Sequence, residues 1–433
     1  MAGPILALDL GTTSVKALVV DTEQRVLARA ERPVETCSPR PGWSEQDVVA
    51  IQRAAEGAAN EAMAASATRP VAAALSCAMH GIVPLDRAGA PLAPLRTWAD
   101  SRGAAVAAAL RSTGAHAELE RRCGTPVHAS SPLCKLSSMR EAEPGLFRAA
   151  SAFVSAKEFL IRAWCGRAVV DRSLGSATGL MALASGAWDR DALAFVGLDA
   201  DRLSELVPTR CVVEAVRGPL RGLPVVVGAS DGCLANLGVG AMGDGIAAAT
   251  LGTSGAARVV DRERSGGDGL FCYVLDDGEW VVGGAVNDMG NAVRLVAERL
   301  FPGVDDPVTI LLAAAGTSEP GARGARVLPG VFGQRFPGYT AEPSGGFVEE
   351  AGFAPADLGR AVVEGVIDGL GAVVDARRAR PGGLRCVRAG GGLVRSPLVQ
   401  RVLAERVGVP LEVGEDWDAS ALGAAVLARR ALG

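Results

Sequence analysis

Residues 5–21 read I-L-A-L-D-L-G-T-T-S-V-K-A-L-V-V-D, and the rest of the chain is organised around them. One apolar run carries Asp9 near its end, a Gly-Thr-Thr-Ser turn follows, and a second apolar run closes on Asp21. Two β-rich runs around a glycine turn predict a β-hairpin. Gly11 lets the backbone approach a ligand closely, and the hydroxyls of Thr12, Thr13 and Ser14 stand beside exposed N–H groups, a setting that suits phosphate. Asp9 is placed where a carboxylate can reach a hydrated Mg²⁺, although a turn would also accept it.

The same signature returns at residues 251–261, L-G-T-S-G-A-A-R-V-V-D. Two phosphate-type hairpins so far apart predict an internal duplication, with one hairpin per lobe and a nucleotide between them. At 433 residues the chain is too long for one ordinary core, and two domains are expected. The net charge of −4 provides no basic face for nucleic acid. Nine scattered cysteines without a C-x-x-C pair fit a reducing compartment and neither a disulfide framework nor a zinc site. Without a signal peptide or an apolar run of spanning length, a cytoplasmic location is expected and no membrane partner. Only three of the 44 basic residues are lysine (Lys16, Lys135, Lys157), so each is worth inspecting, because ammonium and guanidinium are not interchangeable.

Strands and helices alternate along the chain, the mark of an α/β protein. Ser44 and Asp47 form a candidate capping box for an Ala-rich helix reaching about residue 66. A strand near residues 71–77 delivers Met79-His80-Gly81, and residues 121–136 read as an irregular loop entering a helix. A strand at 223–228 leads to Ala229-Ser230-Asp231-Gly232, where the lobe boundary is set, dividing the chain into 1–224 and 225–433. Ser396-Pro397 reads as an N-cap and first helical residue, with Gly408 as the stop. Gly238, Gly240 and Gly243 match G-x-G-x-x-G, but a helix precedes them and a strand follows, the reverse of a dinucleotide fingerprint. No Walker A sequence is present. Asp231, at a strand's carboxyl end, can accept a proton from a substrate hydroxyl, or it can simply cap a helix. His80 on its own fits a satisfied core histidine.

Taken together, these stretches resemble the FGGY carbohydrate kinases, which share a duplicated actin-like (ribonuclease H-like) ATPase fold of two lobes around a central cleft. D-L-G-T-T-S-V-K (9–16) is similar to the family's first phosphate motif, G-A-S-D-G (228–232) to the motif with the catalytic base, and G-T-S-G (252–255) to the second phosphate motif. G-G-G-L-V-R-S-P-L-V-Q (390–400) is similar to the adenosine motif, and G-W-S-E-Q-D (42–47) is also family-like. T-W-A-D-S-R (97–102), the segment 123–136 and D-R-S-L-G-S-A-T-G-L (171–180) look most like gluconokinases. Met79-His80-Gly81 is nearer to xylulokinases, and 323–350 matches the family's G-E-R-x-P segment only loosely, with Gln334 in place of Glu.

The resemblance implies ATP and Mg²⁺ as cofactors, and D-gluconate as the substrate converted to 6-phosphogluconate. Xylulose or another polyol is the alternative, and a non-catalytic sugar sensor is a second. It implies Asp231 as the base and Asp9 as the metal residue. Thr12, Thr13, Ser14 and Lys16 with Gly11 belong near the phosphates on one side, Gly252 and Thr253 on the other. Gly290, Arg294, Gly391, Gly392 and Ser396 fall where the nucleotide is contacted; Met79, His80 and Asp231 fall where the sugar is. A sugar acid also needs a cation for its carboxylate, for which Lys135 and Lys157 are the candidates. The expected partner is a small sugar or sugar acid, with a homodimer the candidate assembly.

Overall fold

The computed structural model describes residues 3–243, 245–340, 344–347, 352–414 and 418–433. The chain forms two compact units: Met1–Gly240 with Cys272–Val281 and Asp418–Gly433, and Ala241–Phe271 with Val282–Trp417. In the first, β1 (Ile5–Leu10) turns back antiparallel into β2 (Ser14–Val20), which pairs with the edge strand β3 (Val26–Pro33). On its other side β1 runs parallel to β4 (Ala72–Cys77), which runs parallel to β5 (Pro224–Ser230). The apolar runs of β1, β2, β4 and β5 are buried almost throughout, as strands covered on both faces must be, whereas the edge strand β3 is largely exposed. The helix Val48–Ala65 covers one face through Val48, Ile51, Ala55, Ala58, Ala59 and Ala62.

The second unit repeats the plan. β6 (Ile246–Leu251) turns antiparallel into β7 (Gly255–Asp261), which neighbours β8 (Glu279–Val286). On the other side β6 runs parallel to β9 (Cys386–Gly390), and β9 runs parallel to β10 (Leu411–Val413). The order β3-β2-β1-β4-β5 thus corresponds to β8-β7-β6-β9-β10, the duplication that the paired hairpins predict. In each hairpin turn the glycine N–H bonds a serine carbonyl, Gly11 to Ser14 O at 3.1 Å and Gly252 to Ser254 O at 3.1 Å, the second turn being one residue tighter.

Several local expectations are corrected. Asp47, not Ser44, caps the helix Val48–Ala65, accepting from Val49 N–H at 2.8 Å. Ser44 is instead buried against Thr97 and Asp100. Within the segment read as irregular, residues 121–123 end the helix His116–Cys123, with Gly124 left-handed as its stop. The units also do not divide at 224/225. β5 is hydrogen-bonded to β4, so it and the following helix Asp231–Gly238 belong to the first unit, as does the last helix, Ala419–Leu432. Of the loosely matched segment 323–350, residues 341–343 and 348–350 lie outside the described residues; Gln334 N–H bonds Thr340 O at 2.9 Å. Among the described residues no helix is long and apolar enough to cross a membrane.

The helices Asp231–Gly238 and Ala419–Leu432 cross where both backbones are bare. A Cβ on Gly238 would lie 1.9 Å from Ala419 O, and one on Gly423 would lie 2.0 Å from Leu234 O. Gly423→Ala is therefore expected to force the helices apart and to cost about 1–3 kcal/mol, the usual range for overpacking. Urea unfolding measures this, and an unchanged midpoint would show that the crossing tolerates a side chain.

Candidate active site

The first unit brings its reactive groups to the carboxyl ends of three adjacent parallel strands, where open α/β sheets place ligands. Asp9 on β1 lies opposite Ser76 on β4, and Cys77 on β4 lies opposite Ser230 on β5. Asp231 follows β5 directly as the first residue of its helix, and Ser230 holds the N-cap position. One Asp231 carboxylate oxygen accepts from Gly232 N–H at 2.7 Å. Asp9 Oδ1 accepts from Ser76 Oγ at 2.7 Å. Burial pushes the Asp9 carboxyl up to about 6; Ser76 and Lys16 counter that rise, while Asp231 and Asp418 add to it.

The turn at residues 11–14 is braced from two sides. Trp98 Nε1 donates to Thr12 Oγ1 at 3.0 Å, and Gln46 Nε2 donates to Thr12 O at 2.6 Å. Thr13 is exposed, and Ser14 Oγ donates to Glu31 at 2.6 Å. Lys16, across the ladder from Asp9, reaches Asp418 Oδ1 at 2.9 Å, and Arg29 meets the other oxygen of Asp418 at 3.1 Å. Gln46 and Trp98 lay in family-like stretches, but nothing in their spacing announced what they brace. Asp418 is 402 residues from Lys16 and carried no local signal.

Met79 and His80 follow β4. His80 has φ +66°, a left-handed conformation that is uncommon outside glycine but that histidine adopts more readily than most residues. Its Nδ1 pairs with Ala177 O at 2.8 Å, and its ring stands edge-on to His128 with centroids 5.0 Å apart. Lys135 and Lys157 are fully buried. Lys135 Nζ donates to His80 O at 2.9 Å and to Thr97 O, tying those two loops together. Lys157 Nζ donates to Ala229 O at 3.0 Å and forms an ion pair of 2.6 Å with Asp171, itself fully buried. The structure thus commits both ammonium groups to the protein, where the sequence expectation offered them to a substrate carboxylate.

The second unit holds a cavity of about 1290 Å³ lined by Gly252, Thr253, Gly290, Arg294, Gly392 and Ser396, with Leu295, Leu312 and Phe332 among its apolar walls. Gly290 N–H bonds Gly252 O at 2.9 Å, and a Cβ there would lie 2.7 Å from that oxygen. Gly391 does not line the cavity; at φ +107° it passes within contact of Leu251 O, so only glycine lets this turn lie against the hairpin. The helix Pro397–Val407 starts at Ser396 and stops at the left-handed Gly408, as its sequence predicts.

The two halves of the chain match the FGGY family of carbohydrate kinases, the N-terminal domain over residues 4–238 and the C-terminal domain over residues 247–432. The chain belongs to that family. It is similar to a gluconokinase of Bacillus licheniformis, with 32% identity over the whole chain and 88% of that protein. Its fold is similar to a gluconate kinase from Lactobacillus acidophilus, with TM-score 0.93 and 25% identity, covering 99% of this chain and 89% of that one. A ligand-bound xylulose kinase from the same organism gives the same TM-score of 0.93, the same identity of 25% and the same coverage of 99% and 89%. This carbohydrate kinase therefore has the actin-like fold of its family, in two sheet-containing lobes.

Among the described residues no three His, Cys, Asp or Glu side chains are arranged to hold a metal by themselves. Mg²⁺ in kinases rarely needs them, because it keeps several waters and takes one or two carboxylates with the substrate phosphates. Asp9, beside the phosphate turn, fits that demand.

Lys135 offers a pH test. Burial lowers its ammonium to about 7, with Asp100 opposing the fall and Arg96 and Arg102 adding to it. Between about 7 and 10.5 the folded chain has released a proton that the unfolded chain keeps. Stability from this group is therefore present above 10.5 and lost as pH falls through 7. Relative to Lys135→Met, the wild type should gain stability from pH 7 to pH 10 in urea unfolding. A difference that stays flat with pH would refute the buried ammonium's cost.

Proposed function

We propose that this carbohydrate kinase transfers the γ-phosphoryl group of ATP to D-gluconate, giving 6-phospho-D-gluconate and ADP. The observation that carries the substrate is the 32% identity to a gluconokinase along the full chain. One feature favours xylulose as the second reading: the triplet Met79-His80-Gly81 is xylulokinase-like. The burial of Lys135 and Lys157 also removes the two cations expected for a sugar acid, leaving its carboxylate to other donors. A non-catalytic sensor is the weakest reading, since a binder has no use for a carboxylate at the strand end beside a second that suits a metal.

Asp231 is the general base in this reading. It takes the proton of the attacking hydroxyl as that oxygen bonds to the γ-phosphorus; the bond to the bridging oxygen breaks and ADP leaves. Catalysis of this kind rests on positioning and electrostatics more than on covalent chemistry by the protein. Gly11, Thr12, Thr13 and Ser14 offer N–H and hydroxyl donors to phosphate oxygens, and Lys16 offers a point charge. Gly252 and Thr253 supply the matching donors in the second unit, where Gly290, Arg294, Gly392 and Ser396 line the nucleotide's cavity. Mg²⁺, when bound, supplies charge neutralisation for the phosphates, and Asp9 is the residue that would hold its hydrated shell.

A coupled ADP-release assay over gluconate, xylulose, glycerol and related sugars tests the substrate. Gluconate should give the highest kcat/KM; a preference for xylulose would overturn the substrate while leaving the kinase. Asp231→Asn should retain ATP binding and lower kcat by roughly 10²–10⁴. Near-normal turnover in that variant would remove the base assignment. Asp9→Ala should raise the Mg²⁺ concentration needed for half-maximal rate, which a Mg²⁺ titration at saturating ATP reads directly.

A further inference from the structure

Asp231 can act as a base only if the chain just before it is fixed, because its backbone sets where the carboxylate points. Two preceding residues are gripped by groups outside the strand. Lys157 Nζ holds Ala229 O at 3.0 Å. Ser173 Oγ accepts from Ser230 N–H at 3.2 Å and shares a hydrogen bond with Ser230 Oγ at 3.0 Å. Ser173, Ser230 and Lys157 are all fully buried, so water does not compete for these bonds.

The grip is itself anchored. Asp171 accepts from Leu174 N–H at 2.8 Å, capping the short helix Arg172–Ser176 that carries Ser173. Its other carboxylate oxygen is the one paired with Lys157 at 2.6 Å. A single buried ion pair therefore fixes both the carbonyl two residues before Asp231 and the helix bearing the serine that fixes the residue before it. The same segment reaches the sugar side, because Ala177 O receives the His80 ring at 2.8 Å.

We infer that Ser173, on a helix anchored by the Lys157–Asp171 pair, is a positioning residue for Asp231 in phosphoryl transfer. Fully buried, it acts by holding Ser230, and the inference rests on Asp231 being the base. A displacement of about 1 Å in a reacting group can cost on the order of a hundredfold in rate. The hydroxyl is small and its loss leaves the ion pair intact, so Ser173→Ala is the informative variant. Lys157→Met strands a buried carboxylate, which is strongly destabilising.

The experiment is steady-state kinetics on the full chain for wild type, Ser173→Ala, Ser173→Thr, Asp231→Asn and the Ser173→Ala/Asp231→Asn double variant. Thermal unfolding of each is recorded alongside. Ser173→Ala should lower kcat roughly ten- to hundredfold, with KM for ATP within about threefold and the acid limb of the kcat–pH profile displaced. Ser173→Thr, which keeps the hydroxyl, should restore most of the rate. Adding Ser173→Ala to Asp231→Asn should cost no more than about twofold, since a residue acting through Asp231 has nothing left to position. Full kcat in Ser173→Ala overturns the inference, and so does a loss that multiplies onto that of Asp231→Asn. Either result, with Asp231→Asn still crippled, leaves the base assignment standing. Full turnover in Asp231→Asn overturns both.

Discussion

Burial of one carboxylate, Asp9, near the end of β1 is the constraint that the first unit has to meet, and a second, Asp231, follows β5 of the same sheet. Burial alone drives the Asp9 carboxyl toward its neutral form, and Asp231 adds to the push. Ser76 and Lys16 oppose it, one by a hydrogen bond and one by charge. Asp231 is placed by a different means, through a backbone held on one side by Lys157 and Ser173 and on the other by Ser420 Oγ, which donates to Asp231 O at 3.1 Å.

The strand seam beneath these groups is equally exacting. Gly228 sits at φ +80° in β5, and a Cβ there would lie 1.7 Å from Leu75 O on β4. The register between the two strands shifts between Val226 and Ala229, so the chain enters Ala229-Ser230-Asp231 from a local irregularity. Glycine at 228 is what permits the close approach, and the close approach brings Asp231 beside Cys77 and Asp9. The first glycine of G-A-S-D-G thus sets where Asp231 emerges.

What could be read from the sequence was whatever is local. The two hairpins, the strand leading to Asp231 and the Ser396-Pro397 to Gly408 helix are each written in one continuous stretch. They appear as read. Gly252, Thr253, Gly290 and Gly392 were legible because the family motif fixes their spacing, and they line one cavity, whereas Gly391 stands outside it. Ser44 misled because a capping pattern is short, and a serine three residues before Asp47 satisfies it whether or not its hydroxyl turns toward Thr97. The unit boundary was missed for a related reason: only hydrogen bonding to β4 shows that β5 belongs to the first sheet. Asp418 and Ser173 were invisible as partners, since nothing near them in sequence encodes a contact to Lys16 or to Ser230.

The lysines show how composition can be informative and still point to the wrong task. In a chain that uses arginine almost everywhere, retention of three ammonium groups called for a reason, and a substrate carboxylate was a natural one. The two buried lysines supply another. Lys135 bonds two backbone carbonyls, and Lys157 bonds one carbonyl and one carboxylate, each with no exposed surface. A compact ammonium can direct its three donors toward partners in different planes, whereas a guanidinium holds five donors in one plane and needs more room. Lys16 answers to the same geometry in a wetter place, a point charge paired with Asp418. Lysine persists here where donors must converge from one small atom, and two of those three places hold the backbone at His80, Thr97 and Ala229.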